Sequence, residues 1–160
     1  MIRRLSTAAV ALAAVATLSA CAAVPDRNAV AAVGDATLTQ DDLDEILASD
    51  LAGQLLQVPP DADRYPMSAA RDIIGTWITV TGAATLDLPE ASDDAVIEQF
   101  GEGWSTAPEP LQELLRGITS ISLSPDLDQA ALIDSLADAT VASRFGRWTP
   151  EQFTVVPLGQ

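Results

Sequence analysis

Apolar residues recur along this chain at two spacings, and the switch between them outlines the elements. Val30 and Val33 precede Gly34-Asp35 and Leu38 follows, a weak strand–turn–strand signal over Asn28–Leu38. Thr39-Gln40-Asp41-Asp42 then carries the marks of a helix start. Thr39 can cap it, Asp42 can return the bond, and the acids suit the positive end of the helix dipole. Leu43, Ile46, Leu47, Leu51 and Leu55 follow at helical spacing. One amphipathic helix is predicted, ended near Gln57 by Pro59-Pro60.

Beyond a polar loop over Asp61–Met67, a second helix is predicted from Ser68, with Ile73, Ile74, Trp77, Ile78 and Thr81 on one side. Its end is blurred by the threonines and glycines between Thr76 and Thr85. Leu88-Pro89-Glu90 makes a break, and Ser92 can cap a third helix carrying Val96, Ile97 and Phe100. Gly101–Pro110 reads as a loop holding Trp104. Leu111, Leu114, Leu115 and Ile118 mark a short fourth helix closing near Gly117–Ser120. Ser124-Pro125 is read as the start of a fifth, which carries Leu127, Ala131, Leu132 and Leu136. After Asp138 the pattern changes: Val141–Trp148 and Phe153–Val156 are β-prone around a Thr149-Pro150 turn. The expected fold is mainly α, one small helical domain over residues 29–160 with short β segments near both ends. The terminal strands are expected to pair with each other.

The N-terminus has a separate logic. Met1-Ile2-Arg3-Arg4 is a short basic start, and the apolar run Ala8–Leu18 is too short to span a bilayer but suits a signal peptide. It runs into Leu18-Ser19-Ala20-Cys21, which resembles a lipobox. Residues 1–20 are read as a signal peptide and Cys21 as the site of lipidation, with residues 21–28 a small, polar, Pro-containing tether. An ordinary secretory signal with a chance cysteine is the competing reading, yet this sole cysteine has a lipobox around it. The twin arginines lack the rest of a Tat motif, so general secretion is expected. Two acyl chains at about 0.8 kcal/mol per buried CH₂ would hold the protein at the outer face of the cell membrane without spanning it.

Charge narrows the partners. Acids number 23 against eight basic residues, all arginine, for a formal net charge of −15. Loss of Arg3 and Arg4 with the signal would take it to −17. Such a surface repels phosphates, so no nucleic-acid partner is expected. Histidine is absent and Cys21 is the single cysteine. No Ser-His-Asp or Cys-His system, His-based metal site, Cys cluster or disulfide can be assembled. Neither catalysis nor a cofactor is expected, since no nucleophile–base pair and no cofactor motif is present.

The stretch Ala31-Ala32-Val33-Gly34-Asp35-Ala36-Thr37-Leu38-Thr39, leading into Asp42-Leu43, resembles the start of SurA-type chaperone domains. Those begin with a short strand, a Gly turn, an Ile/Leu-Thr pair and an amphipathic helix. The spacing to Arg71-Asp72-Ile73-Ile74 and then Leu86–Asp94 is similar to their next helices. The tail Ala142-Ser143-Arg144-Phe145-Gly146-Arg147-Trp148, ending near Val155-Val156-Pro157, resembles those of actinobacterial lipoproteins with this domain. SurA and PrsA relatives usually add a parvulin prolyl isomerase domain, whose site generally relies on histidines that are missing here. The resemblance thus implies a holding domain for unfolded exported proteins, without isomerase activity. From another class, an accessory lipoprotein docking one folded envelope partner fits the same features.

The acidic run Asp41, Asp42, Asp44, Glu45 lacks the alternating ligands, central Gly and distant Glu of an EF-hand. A helix N-terminus accounts for it, as it does for Asp93-Asp94. Paired carboxylates could serve glycoside chemistry, but no aromatic sugar platform accompanies them. Trp77 reads as core. Trp104, in its Gly- and Pro-rich loop, either caps a core edge or contacts a partner. Phe145 and Trp148 would lie on opposite faces of one strand, leaving one of them exposed. Trp104, Phe145 and Trp148 are accordingly the candidate client or partner contacts.

Overall fold

The computed structural model describes residues 28–57 and 66–159. The signal peptide, Cys21 and all but the last residue of the tether lie outside the described residues. Among those described, the protein is mainly α, with six α-helices and two small antiparallel sheets.

β1 (Ala29–Val33) turns at Gly34, whose φ of 56° is left-handed, into β2 (Ala36–Thr39). Thr39 caps α1 (Gln40–Ala48) with a complete capping box: its hydroxyl accepts from the Asp42 N–H, and the Asp42 carboxylate accepts from the Thr39 N–H at 3.0 Å. The single helix expected to run on to Gln57 is two helices. Ser49 is extended (φ −76°, ψ 132°), ending α1 and starting α2 (Asp50–Leu55). Serine favours such boundary positions because its short polar side chain competes with the helical backbone. The break redirects the apolar stripe: Leu43, Ile46 and Leu47 are buried, whereas Leu55 is 44% exposed.

α3 (Met67–Ala83) is the longest helix, and it buries Ile73, Ile74 and Ile78 together with Ala69, Ala70, Gly75, Gly82 and Ala83. Its threonines do not end it early, because the Thr76 and Thr79 hydroxyls donate to the carbonyls of Asp72 and Gly75 within the helix. Ser92 caps α4 (Asp93–Phe100) as expected. A 3₁₀ turn at Glu102–Thr106 leads to α5 (Glu109–Ser122), which runs past Gly117. That glycine is a packing site rather than a stop, since a Cβ there would collide with the Val80 side chain of α3.

Ser124-Pro125 does not open the next helix. The Ser124 hydroxyl bonds back to the Ser120 carbonyl at 2.9 Å and so finishes the preceding turn. α6 (Gln129–Ser135) starts instead at Asp128, whose carboxylate accepts from the N–H groups of Ala130 and Ala131.

β3 (Thr140–Val141) pairs with β1 through Ala31↔Val141 and Ala32↔Thr140, giving the strand order β2-β1-β3. The N-terminal strand is therefore paired with the first strand of the C-terminal β region, but the last strand of the chain is not part of this sheet. β4 (Arg147–Thr149) and β5 (Thr154–Val156) form a separate hairpin around a 3₁₀ turn at Pro150–Gln152. Phe153 closes that turn in the left-handed region, at φ 51°.

One core joins Val30 and Leu38 of the sheet, Leu43 and Ile46 of α1, the α3 isoleucines, Leu111 and Leu115 of α5, and Leu136. All of it lies within residues 28–159, so a chain from Ala22 to Gln160 keeps every described element. Gly146 separates Phe145 from β4 at φ 137°, and a Cβ there would meet the backbone carbonyl of Val156. Gly146→Ala should lower the unfolding free energy by about 3 kcal/mol or more, combining backbone strain with a backbone clash. Gly103→Ala, with open space around its Cβ, should stay within about 0.5 kcal/mol. Urea unfolding midpoints of the two variants make the comparison.

Candidate binding surface

Trp104, Phe145 and Trp148 are all interior. Trp104 is 4% exposed, and its Nε1–H donates to the Gln112 carbonyl at 3.3 Å. The Arg116 guanidinium lies 5.2 Å from its ring centroid and pairs with Asp93 at 2.7 Å. The loop tryptophan thus fastens the 3₁₀ turn to α5, while its covering arginine ties α5 to α4.

Phe145 and Trp148 correct the expectation drawn from strand parity. Phe145 lies in the turn before Gly146, not in a strand. The Gly146 bend lets both rings enter the core, at 5% and 8% exposure. Arg144 covers Phe145 with its guanidinium 4.8 Å from the ring centroid, and Arg71 Nε donates to the Phe145 carbonyl at 2.6 Å. Trp148 packs over Gly75 of α3. Its Nε1 is buried with no hydrogen-bond partner among the described residues. None of the three side chains offers a free face to a client.

The accessible features lie elsewhere. Trp77, read from its spacing as core, is half-buried and lines a cleft of about 360 Å³ where β2, α1, α3 and α5 meet. Val80, Pro110 and Leu114 add apolar wall, and Asp42, Glu109 and Glu113 stand at the same cleft. A second cleft, of about 420 Å³, lies between the α3–α4 connection and the α5–α6 connection with the first turn of α6. Leu86, Leu88, Pro89, Leu127 and Ala131 line it, beside Leu123 at 49% exposure. Helical periodicity could not reveal either cleft, because each is made where loops and helix ends from different parts of the chain converge. Leu123 stands four residues after buried Thr119 and eight after buried Leu115, a spacing that suggests burial, yet it lies just past the end of α5 and is exposed.

Among the described residues, no group of three or more Asp and Glu side chains is arranged to hold a metal ion. No helix of the described residues is long and apolar enough to cross a membrane. No family model, curated protein or solved structure matches the chain.

Trp104→Ala and Trp148→Ala should each lower the unfolding free energy by about 3–5 kcal/mol in urea titrations. A side chain serving mainly as a surface contact would change it by no more than about 0.5 kcal/mol.

Proposed function

We propose that this protein is a lipid-anchored module on the outer face of the cell membrane that holds segments of non-native exported polypeptides, without covalent chemistry. The observation that carries the reading is the open apolar cleft around Leu123. It gathers Leu, Pro and Ala side chains from the two connections, with Asp87, Asp126 and Asp128 beside them, at the edge of the core, against which Leu86, Leu88 and Leu127 pack. An apolar side chain seated there loses contact with water, which is worth about 1.5–3 kcal/mol for a fully buried Leu or Phe. That is weak per contact, as a holding function requires.

The anchor rests on the lipobox-like Leu18-Ser19-Ala20-Cys21 and its apolar leader. A SurA-type identity for the helical domain is part of the proposal. It is supported by the order of strand, Gly34-Asp35 turn, strand and Thr39-capped helix, which follows the motif order that suggested it. The second reading, an accessory lipoprotein docking one folded partner, draws on the same cleft. It is favoured by the modest cleft size and by the dispersal of the exposed large apolar residues Leu55, Met67, Leu123 and Leu158 along the chain.

The test uses the chain from Ala22 to Gln160 at near-equal molar ratio with chemically unfolded exported proteins, beside an inert acidic control. Suppression of aggregation for several unrelated clients is expected. Leu123→Asp should raise the concentration for half-maximal suppression about tenfold, the equivalent of about 1.4 kcal/mol, while the fold is retained. Absence of suppression, together with a fixed-stoichiometry partner recovered from envelope extracts, would replace the holding reading with the docking one.

A further inference from the structure

We infer that the Trp77 cleft is a subsite for a basic side chain, arginine above all, of a bound polypeptide. This rests on the proposal that the protein holds polypeptide segments, and it assigns a second position to the same bound chain. At about 360 Å³ the cleft sits near the lower end of the roughly 300–1,000 Å³ usual for ligand sites. Its chemistry is divided. Trp77, Val80, Pro110 and Leu114 supply the apolar wall, and Asp42, Glu109 and Glu113 supply carboxylates. An arginine matches that division, with an alkyl stem to lay on apolar surface and a planar cation to fork between carboxylates.

Charge complementarity singles out this occupant. Glu109 and Glu113 stand one helical turn apart on the exposed side of α5, a like-charge spacing that costs an isolated helix a few tenths of a kcal/mol. Neither makes a hydrogen bond or ion pair among the described residues, and no arginine lines the cleft. Arg116 is held by Asp93 and Trp104, Arg144 by Gln40 and Phe145, and Arg71 by the Phe145 carbonyl. Asp42 accepts from both the N–H and the hydroxyl of Thr39 on Oδ2, which leaves Oδ1 out of the cap. Arg71, Arg116 and Arg144 are thus committed elsewhere and Arg147 of β4 does not line the cleft, while three carboxylates line it together with an aromatic. Helix N-terminal preference accounts for Asp42 and Glu109 individually. It does not account for Glu113 in the second turn, nor for a half-buried tryptophan lining the same cleft.

The test uses the chain from Ala22 to Gln160 and fluorescence anisotropy of two labelled, acetylated and amidated peptides. One is a Leu-Arg-Ser repeat, and the other carries Gln in place of every Arg. The Arg peptide should bind at least about tenfold more tightly than the Gln peptide, and the difference should shrink as salt rises well above about 0.1 M. Glu109→Gln with Glu113→Gln should remove most of that preference. Glu98→Gln with Glu102→Gln, which changes net charge equally away from the cleft, should keep it. Trp77→Leu should weaken the Arg peptide, and perturbation of the Trp77 indole N–H signal on its addition locates the contact. Equal binding of the two peptides, or equal loss in the two double variants, overturns the subsite and leaves the holding reading standing. Binding of neither peptide by a chain that still suppresses aggregation also overturns the subsite alone. Failure in both assays removes the holding reading with it.

Discussion

Helix α3 is buried along most of its circumference, and the other elements take their positions from it. Its isoleucines meet the sheet, α1 and α5 in one cluster. Its glycines set the distances: Gly75 lies under Trp148 and the Phe153 carbonyl, and Gly82 lies against Leu136. Gly117 makes the same allowance for α5, against Val80. A few aromatics and many small residues would ordinarily leave a loose interior, because Ala and Gly bury little apolar area each. Close backbone approach compensates, since it raises the number of dispersion contacts each small residue makes. The core is correspondingly intolerant of added volume at those glycines.

The surplus of acid shapes the outside in a complementary way. Arginine is scarce, and Arg71, Arg116 and Arg144 are spent on covering aromatic edges or bonding a carbonyl rather than on neutralising the surface. Arg116–Asp93 is the ion pair found among the described residues, and with both groups partly exposed it contributes little to stability. The acids at the helix starts stabilise those starts locally. Collectively they generate a negative field over the surface that includes both open clefts.

Much of this was legible in the sequence, for identifiable reasons. Gly34-Asp35, the Thr39–Asp42 box and Ser92 are local devices whose chemistry acts within four residues, and each sits where its pattern says. The readings that failed needed information from far along the chain. Ser49 is polar at a position where an unbroken apolar stripe suggested continuity, and whether the helix bends there depends on what α2 packs against. Ser124-Pro125 has the composition of a helix start, yet its hydroxyl was taken by Ser120 one turn earlier. Parity placed Phe145 and Trp148 on opposite faces, but parity holds only within a continuous strand, and Gly146 interrupts it. The half-burial of Trp77 escaped for a related reason. Helical spacing tells which side of α3 faces inward, not where the inward side runs out of neighbours.

The pairing of β1 with β3 has a consequence for the order in which the fold can close. The central strand is made early in the chain, but its second neighbour comes from Thr140–Val141. Arg71 finds its carbonyl at Phe145, and Arg144 reaches back to Gln40, 104 positions earlier. A chain that emerges N-terminus first, from a ribosome or through a membrane pore, therefore cannot complete its core until nearly the last residues are out. Local helices can form beforehand, yet the closure that locks them is non-local and comparatively slow. For that interval β1 would be unpaired on one side. A molecule built this way passes through the condition of an open, incompletely folded polypeptide each time it is made.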